Sequence, residues 1–551
     1  VLNHTSDFES RKYPRIVHHL AIALSGFLTI VTSIGCNSSS TASETTGTTP
    51  TNPSNPTNTV ATYTNPSIYP AVSSLSLSVN GTTVPISGFQ PSNATQPEYY
   101  YAHFSFSGTA ALTVTANANI QSASISPLAF GLTPSVSGDA LSFSLSQSRY
   151  LIVKINSMPE LVIAADPLEI NVPAVTGASI YNVVQDYGAD NSGASYATTA
   201  IQEAVNDAAI AGGGTVYVPD GVYKIGNLVL KSNVTLYLTG GAVLRGSGIG
   251  SDYANEFSKS SLNMNGTWLV STAPGSSNIT IRGRGTIDGN GIGMRAKNNF
   301  LSDLIVPIAT SKFTIDGITG RDAGFWSVVP IQSQNVTITN YKGLQSLGYA
   351  EDDAVDINES QNVTVQHALA ISFDDTYSTK TWSNKVDIAA NWPDTPQVIS
   401  NVTFDDIVAW THCAAFKVGN GADEAHSNVI FQNGYVYNSS RAIAVDPTTG
   451  GAVLQQLTFS NLDIERVEYA KQGPYWLQLI AAYADSQNIM LQDVNVRDTG
   501  TGTSVIQGNS SSAMVNDVTF QHVVVKGVVA GSLSDLHAAA NSYTSGLQFL
   551  P

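Results

Sequence analysis

Charge is scarce in this chain. Only 12% of its 551 residues are Asp, Glu, Lys or Arg, and the positive ones are the rarer kind: 24 Lys and Arg against 41 Asp and Glu. The net charge of −17 excludes a nucleic-acid partner, because phosphate binding needs a basic surface. Cysteine is nearly absent. Cys36 and Cys413 are the only two, so no disulfide framework is read from them. Cys413 reads as a buried core thiol rather than a nucleophile. Beyond the first 36 residues no stretch reaches the roughly 18 apolar residues that a membrane helix needs. Gly (45) and Tyr (23) are plentiful, and 42% of the chain is hydrophobic, enough for a large core. With abundant Ser, Thr and Asn, this composition suits an extracellular β-protein.

The N-terminal text supports export. In "RKYPRIVHHLAIALSGFLTIVTSIGC", Arg11, Lys12 and Arg15 precede an apolar run that ends at Gly35-Cys36. Residues 1–36 resemble a bacterial lipoprotein signal, with Ser33 departing from the usual leucine. The resemblance implies a protein at the periplasm or outer surface, tied to the membrane only through a lipid on Cys36. Residues 37–64 are Ser, Thr, Asn and Pro with little apolar content, and read as a flexible tether.

Residues 65–177 change character. Runs such as "SSLSLSVNGTTVPISGF" and "ALSFSLSQSRYLIVKI" alternate apolar and polar residues between Gly, Pro and Asn, which predicts a small antiparallel β-sandwich. Tyr99, Tyr100 and Tyr101 read as strand aromatics, with sugar stacking the lesser reading. Residues 178–551 form a second unit. An amphipathic helix is predicted over 197–211, ended by Gly212-Gly213-Gly214. Then a short motif recurs, as in "SNVTLYL", "SQNVTITN", "SQNVTVQH" and "ISNVTFDD". Aligned on Asn233, Asn278, Lys312, Asn335, Asn362, Asn401, Asn428, Gln456, Asn488 and Asp517, several steps are 27 to 29 residues. Such a period means a solenoid, with Asn at the turns because it tolerates left-handed backbone. The predicted fold is all-β: a right-handed parallel β-helix of about ten coils, capped by the 197–211 helix and preceded by the sandwich.

Two acidic clusters stand out, Glu351-Asp352-Asp353 and Asp374-Asp375, with 21 residues from Asp353 to Asp374. One coil apart, they stack about 4.8 Å from each other. Crowded carboxylates cannot all ionise together, which supplies the acid and the base that glycoside hydrolysis needs. Solvated turn decoration and Ca²⁺ binding are the structural alternatives. Asp374 and Asp375 reach one cleft only if the chain bends between them, since neighbours in a strand face opposite ways.

The stretch "DYGAD…TTAIQEAVNDAAIAGGGTVYVPDGVY" resembles the opening of the pectin-lyase-like β-helix proteins, especially glycoside hydrolase family 28, the polygalacturonases. That resemblance implies Asp374 as general acid, with Asp353 and Asp375 holding and activating the water, in an inverting reaction without metal or cofactor. The chain departs from that family in two places. "THCAAFKVGNG" stands where Gly-His-Gly is expected, and "RAIAVD" replaces Arg-Ile-Lys, leaving Arg441 displaced and Ala444 in the strand. Glycoside hydrolase family 49, the dextranases and isopullulanase, lacks those residues and carries an N-terminal sandwich, so the resemblance extends to the clan holding both. It implies a polysaccharide hydrolase acting on a neutral glucan or a pectic glycan, and a β-helix of this size, stable alone, is expected to be a monomer. Lys380, Trp382, Trp410, His412 and Lys417 are candidate sugar contacts by their place on the flanking coils, against packing or solvated roles. His367, between the clusters, reads as a strand residue. A uronate lyase or epimerase and a non-catalytic carbohydrate-binding solenoid are the competing functions.

Overall fold

The structure is a computed structural model that describes residues 58–91, 94–383, 387–469 and 473–551. The expected export segment with Cys36, and most of the expected tether, lie outside the described residues. Within them, no helix is long and apolar enough to cross a membrane.

Two sheets face each other in the N-terminal part. One orders Thr59–Thr62, Tyr99–Ser107, Leu161–Pro167, Arg149–Ile155 and Ala123–Ser126, with Ile86–Phe89 also on Tyr99–Ser107. The other orders Thr82–Val84, Leu75–Val79, Ala110–Ala116, Ala140–Leu145 and Ser135–Ser137. Thr59–Thr62 pairs with Tyr99–Ser107, so the last residues read as tether are a sheet strand. Pairing is antiparallel except between Tyr99–Ser107 and Leu161–Pro167, which run parallel. "LVIAADP" explains that central place. A strand covered on both faces reads as a continuous apolar run, and Leu161 through Ala165 are all fully buried.

The helix Thr198–Ile210 buries Ile201, Ala204, Val205 and Ala208 against the first coils. From there a parallel ladder climbs coil by coil. It runs from Gly214–Val218 and Val234–Leu238 through Gln361–Ser372 and Ile399–Thr411 to Val515–Gln521. A seven-stranded parallel sheet, from Val355–Asn358 and Tyr377–Thr381 to Ala538–Ala540, forms another wall. Inward residues stack on their own kind. Phe404, Phe431 and Phe459 sit with ring centroids 4.6 and 5.2 Å apart and nearly parallel.

The repeat marks a real backbone feature. All ten aligned turn positions, including Lys312, Gln456 and Asp517, have φ between 53° and 63°. Asn side chains join successive turns, as in Asn428 Nδ2 to Asn401 Oδ1 at 2.9 Å and Asn401 Nδ2 to Asn362 Oδ1 at 3.0 Å. A second left-handed series falls at Asn340, His367, Asp406, Asn433, Asn461, Asp493 and His522. His367 is therefore a bend within the strand Gln361–Ser372. Its ring bridges Ser148 of the sandwich (2.7 Å) and Asp406 of the next coil (2.6 Å).

The sandwich lies directly on the coils. Phe89, Tyr99, Tyr150, Ile152 and Val162 pack against Leu344, Leu369, Ile371, Val408 and Trp410. Beside this seam, buried Asp166 accepts hydrogen bonds from Tyr150 Oη, Lys342 Nζ (2.5 Å) and His103 Nε2 (2.8 Å), with Arg284 Nε at 3.4 Å. Burial opposes its charge, yet Lys342 and His103 outweigh that and hold the carboxyl well below the usual range.

Candidate active site

The site forms where the ladder strands turn into the seven-stranded sheet. Val355 pairs with Tyr377 and Tyr377 with Phe416, so the three coils are in register there. Asp353 and Asp375 each lie two residues before those paired positions, and therefore occupy the same rung on adjacent coils. The Ala354 amide donates to the Asp375 carbonyl at 3.0 Å.

The bend that the sequence required is present. Asp352, fully buried, accepts the amides of Phe373 (2.8 Å) and Asp374 (3.0 Å) on one carboxylate oxygen. This fixes a tight turn between Ser372 and Thr376. Asp374 in turn receives the Glu351 amide on Oδ2 (3.1 Å) and the Asp375 amide on Oδ1 (3.2 Å). Asp353 and Asp375 are about 2% exposed, whereas Asp374 is partly open to solvent.

Lys380 and Lys417 lie behind these carboxylates rather than in front of them. Lys380 Nζ binds Asp353 Oδ2 and Asp356 Oδ2 (2.7 Å), with Asp375 Oδ2 at 3.8 Å and the Trp326 ring centroid at 4.3 Å. Lys417 Nζ binds Asp375 Oδ2 at 2.8 Å. Both amines are buried, which corrects the expectation that they meet the sugar. A buried carboxylate cluster needs countercharge, and these strands supply it from the adjacent rungs. Burial lowers the lysines, but Asp353 and Asp356 outweigh it at Lys380, and Asp375 at Lys417, so both stay charged. Burial and the neighbouring Asp356 push Asp353 above the usual carboxylate range, and burial also raises Asp356, Asp352 and Asp303. More carboxylates than lysines meet here, so the cluster retains protons.

Asp353 Oδ1 and Asp375 Oδ1 are buried and accept no hydrogen bond from any described residue.

Other expected contacts separate. Trp410 is buried against the sandwich, its ring 5.8 Å from Tyr99 and 5.0 Å from Tyr437, with Nε1 donating to Tyr469 Oη at 2.9 Å. It is a seam residue, not a sugar platform. Strand alternation sends Ala409 into the coil and Trp410 outward, onto the face that the sandwich covers. His412 lays its ring 3.6 Å from Tyr469 and 5.2 Å from Phe373, flanking the acid turn. Trp382 is half-buried, stacked at 6.3 Å on Trp326, with Nε1 donating to Asn358 Oδ1 at 3.1 Å.

Sequence reasoning missed Asp356 and Trp326, which complete the Lys380 environment, and the turn-fixing role of Asp352. Asp356 stands three residues beyond Asp353 in the same acidic run, a signal that was available. Cys413 is buried as expected, and its Sγ lies within 4.8 Å of ligand atoms of Asp374 and Asp375. Arg441 donates to that sulfur at 3.4 Å and to Gln478 Oε1 at 3.0 Å. Lys417 and Arg441 next to these groups disfavour a bound cation.

A right-handed parallel β-helix with stacked acids in one turn column defines a pectate-lyase-like protein. Residues 180–464 match the family described as rhamnogalacturonase A/epimerase, pectate lyase-like, and the chain belongs to that family. It is 26% identical over 423 residues to an exo-poly-alpha-D-galacturonosidase of Dickeya chrysanthemi, covering 65% of this chain and 69% of that one. Two solved structures share the fold. The family 28 exopolygalacturonase of Yersinia enterocolitica has a TM-score of 0.50 at 15% identity, over 80% of this chain and 96% of its own. The exopolygalacturonase of Thermotoga maritima has a TM-score of 0.52 at 16% identity, over 63% and 87%.

Proposed function

We propose that the chain is an exported glycoside hydrolase that cleaves a pectic polysaccharide with inversion at the anomeric carbon. The observation that carries this reading is the pair of buried oxygens, Asp353 Oδ1 and Asp375 Oδ1. They stand on one rung while lysines hold the other oxygen of each acid. Two such acceptors orient a water, and Asp374, nearer the solvent, protonates the departing glycosidic oxygen. Asp352 and the Glu351 amide keep that third acid in place.

A pectic substrate is supported by the family and by the Dickeya relative, whose name specifies a polygalacturonate. Proton abstraction of the lyase kind is disfavoured. Lys380 and Lys417 are the amines bonded to the acids among the described residues, and their carboxylate partners keep both protonated.

The test is reducing-end release from polygalacturonate, rhamnogalacturonan and dextran in EDTA, by the wild type and by Asp374→Asn. The expected outcome is hydrolysis of a pectic polymer that survives EDTA and falls roughly 10²- to 10⁴-fold in kcat in the variant. Undiminished activity in Asp374→Asn overturns the assignment, and hydrolysis of dextran alone overturns the substrate class.

A further inference from the structure

The acid turn is tied to the sandwich by a specific contact. The chain leaves the ladder strand Lys342–Leu344 and does not re-enter a strand until Val355–Asn358. The equivalent turn of the next coil only runs from Ser372 to Tyr377. The longer turn carries Glu351, Asp352 and Asp353, and needs external support. Its first residues get it from the sandwich. The Glu98 carboxylate accepts the Leu347 amide at 2.6 Å and Ser346 Oγ at 2.8 Å, and Tyr99 Oη donates to the Gln345 carbonyl at 2.8 Å. The far end is held by Arg295, which donates to the Ala350 carbonyl at 2.8 Å, and by Lys259, 3.3 Å from Glu351. From there Glu351 and Asp352 bond directly to the Asp374 turn.

We propose that Glu98 is a positioning residue for catalysis: the sandwich acts through it to set the turn that carries Asp352 and Asp353, and through Asp352 the place of Asp374. This rests on the hydrolase reading above. It gives the sandwich a role inside the active site, rather than that of an appended binding module.

The molecule contains a matched control. Glu465, on a later coil, makes the same kind of junction contact in the reverse direction. It accepts Ser126 Oγ at 2.6 Å and the Leu128 amide at 2.6 Å, and Asp353, Asp374 and Asp375 lie on other turns. Glu98→Ala, Glu98→Gln and Glu465→Ala are compared for kcat, KM, melting temperature and amide exchange without substrate. Glu98→Ala is expected to lower kcat roughly 10- to 100-fold with KM within about twofold. Glu98→Gln, which keeps one acceptor for Ser346, falls between it and the wild type. Glu465→Ala lowers the melting temperature similarly and leaves kcat unchanged. The amides of Leu347, Phe373 and Asp374 exchange faster in the Glu98 variants only. A wild-type kcat in Glu98→Ala, or an equal loss in Glu465→Ala, overturns the proposal; if the alanine variant does not fold, Glu98→Gln decides by the same criterion. If the wild type proves inactive on every polysaccharide, the hydrolase reading has failed, and the exchange measurement still decides whether Glu98 sets the turn.

Discussion

Lys380 shows what a buried acid cluster demands of a single residue. Its amine touches Asp353 and Asp356 and lies near Asp375, all within the core of the site. Lys380→Met leaves Asp353 and Asp356 without countercharge, while Asp375 keeps Lys417, and breaking such a pair costs about 3–5 kcal/mol near neutral pH. The pH dependence has a definite sign. Burial already raises Asp353 and Asp356 above their unfolded values, and losing the lysine raises them further. A group with a raised folded pKa stabilises the fold below its unfolded pKa and loses that contribution as pH rises through the folded one. The melting temperature of Lys380→Met is therefore expected to be near that of the wild type at about pH 4 and well below it at pH ~8. Scanning calorimetry across that range checks this. A deficit independent of pH contradicts it. Sequence alone picked out the three acids as candidates, because clustered Asp in a charge-poor chain is conspicuous. It also selected both lysines, but their direction depends on which neighbours are buried, and that is a property of the stacked coils. Trp410 failed for a related reason: its outward face is covered partly by Tyr99, a sandwich residue far back in the chain.

At the scale of the element, the turn ladder was the most legible feature. A residue that tolerates left-handed backbone must recur wherever each coil bends, and the period of the bend appears directly in the text. Lys312, Gln456 and Asp517 adopt the same φ, so position rather than residue type dictates the conformation. Asn428 combines φ of 53° with a bond to Asn401. Asn428→Ala loses both the backbone tolerance and the bond, and is expected to cost roughly 2 kcal/mol in chemical denaturation. Asn428→Gly keeps the backbone tolerance and costs about half as much. Equal costs contradict that division. The second bend series was not legible, because its positions are divided among Asn, Asp and His, with no one residue type for the eye to follow. The sandwich was legible as alternating strands. Its one parallel pair was not, because the register of distant strands is set by the fully apolar run Leu161–Ala165 meeting a surface on each side.

At the scale of the molecule, sandwich and solenoid share one apolar seam and one buried ion network centred on Asp166. Neither surface is suited to water: Leu369, Ile371 and Val408 on the coils and Val162 and Ala164 on the sandwich are almost wholly covered. The described parts are expected to unfold in a single transition, with tryptophan fluorescence and far-ultraviolet circular dichroism reporting the same midpoint. A fragment starting at residue 178 is expected to aggregate, since it exposes that seam. Two separated transitions, or a soluble and folded fragment, contradict this coupling. The same coupling places Glu98 beside the acid turn, so the junction bears on activity as well as stability.

In the proposed reaction, a water held between Asp353 and Asp375 attacks while Asp374 protonates the leaving oxygen. The anomeric configuration of the first product tests this directly, followed by proton nuclear magnetic resonance as a pectic oligosaccharide is cleaved. The expected initial product has the configuration opposite to that of the bond broken, and then mutarotates to equilibrium. An initial product that retains the configuration means a covalent glycosyl–enzyme intermediate, and contradicts the roles of all three acids.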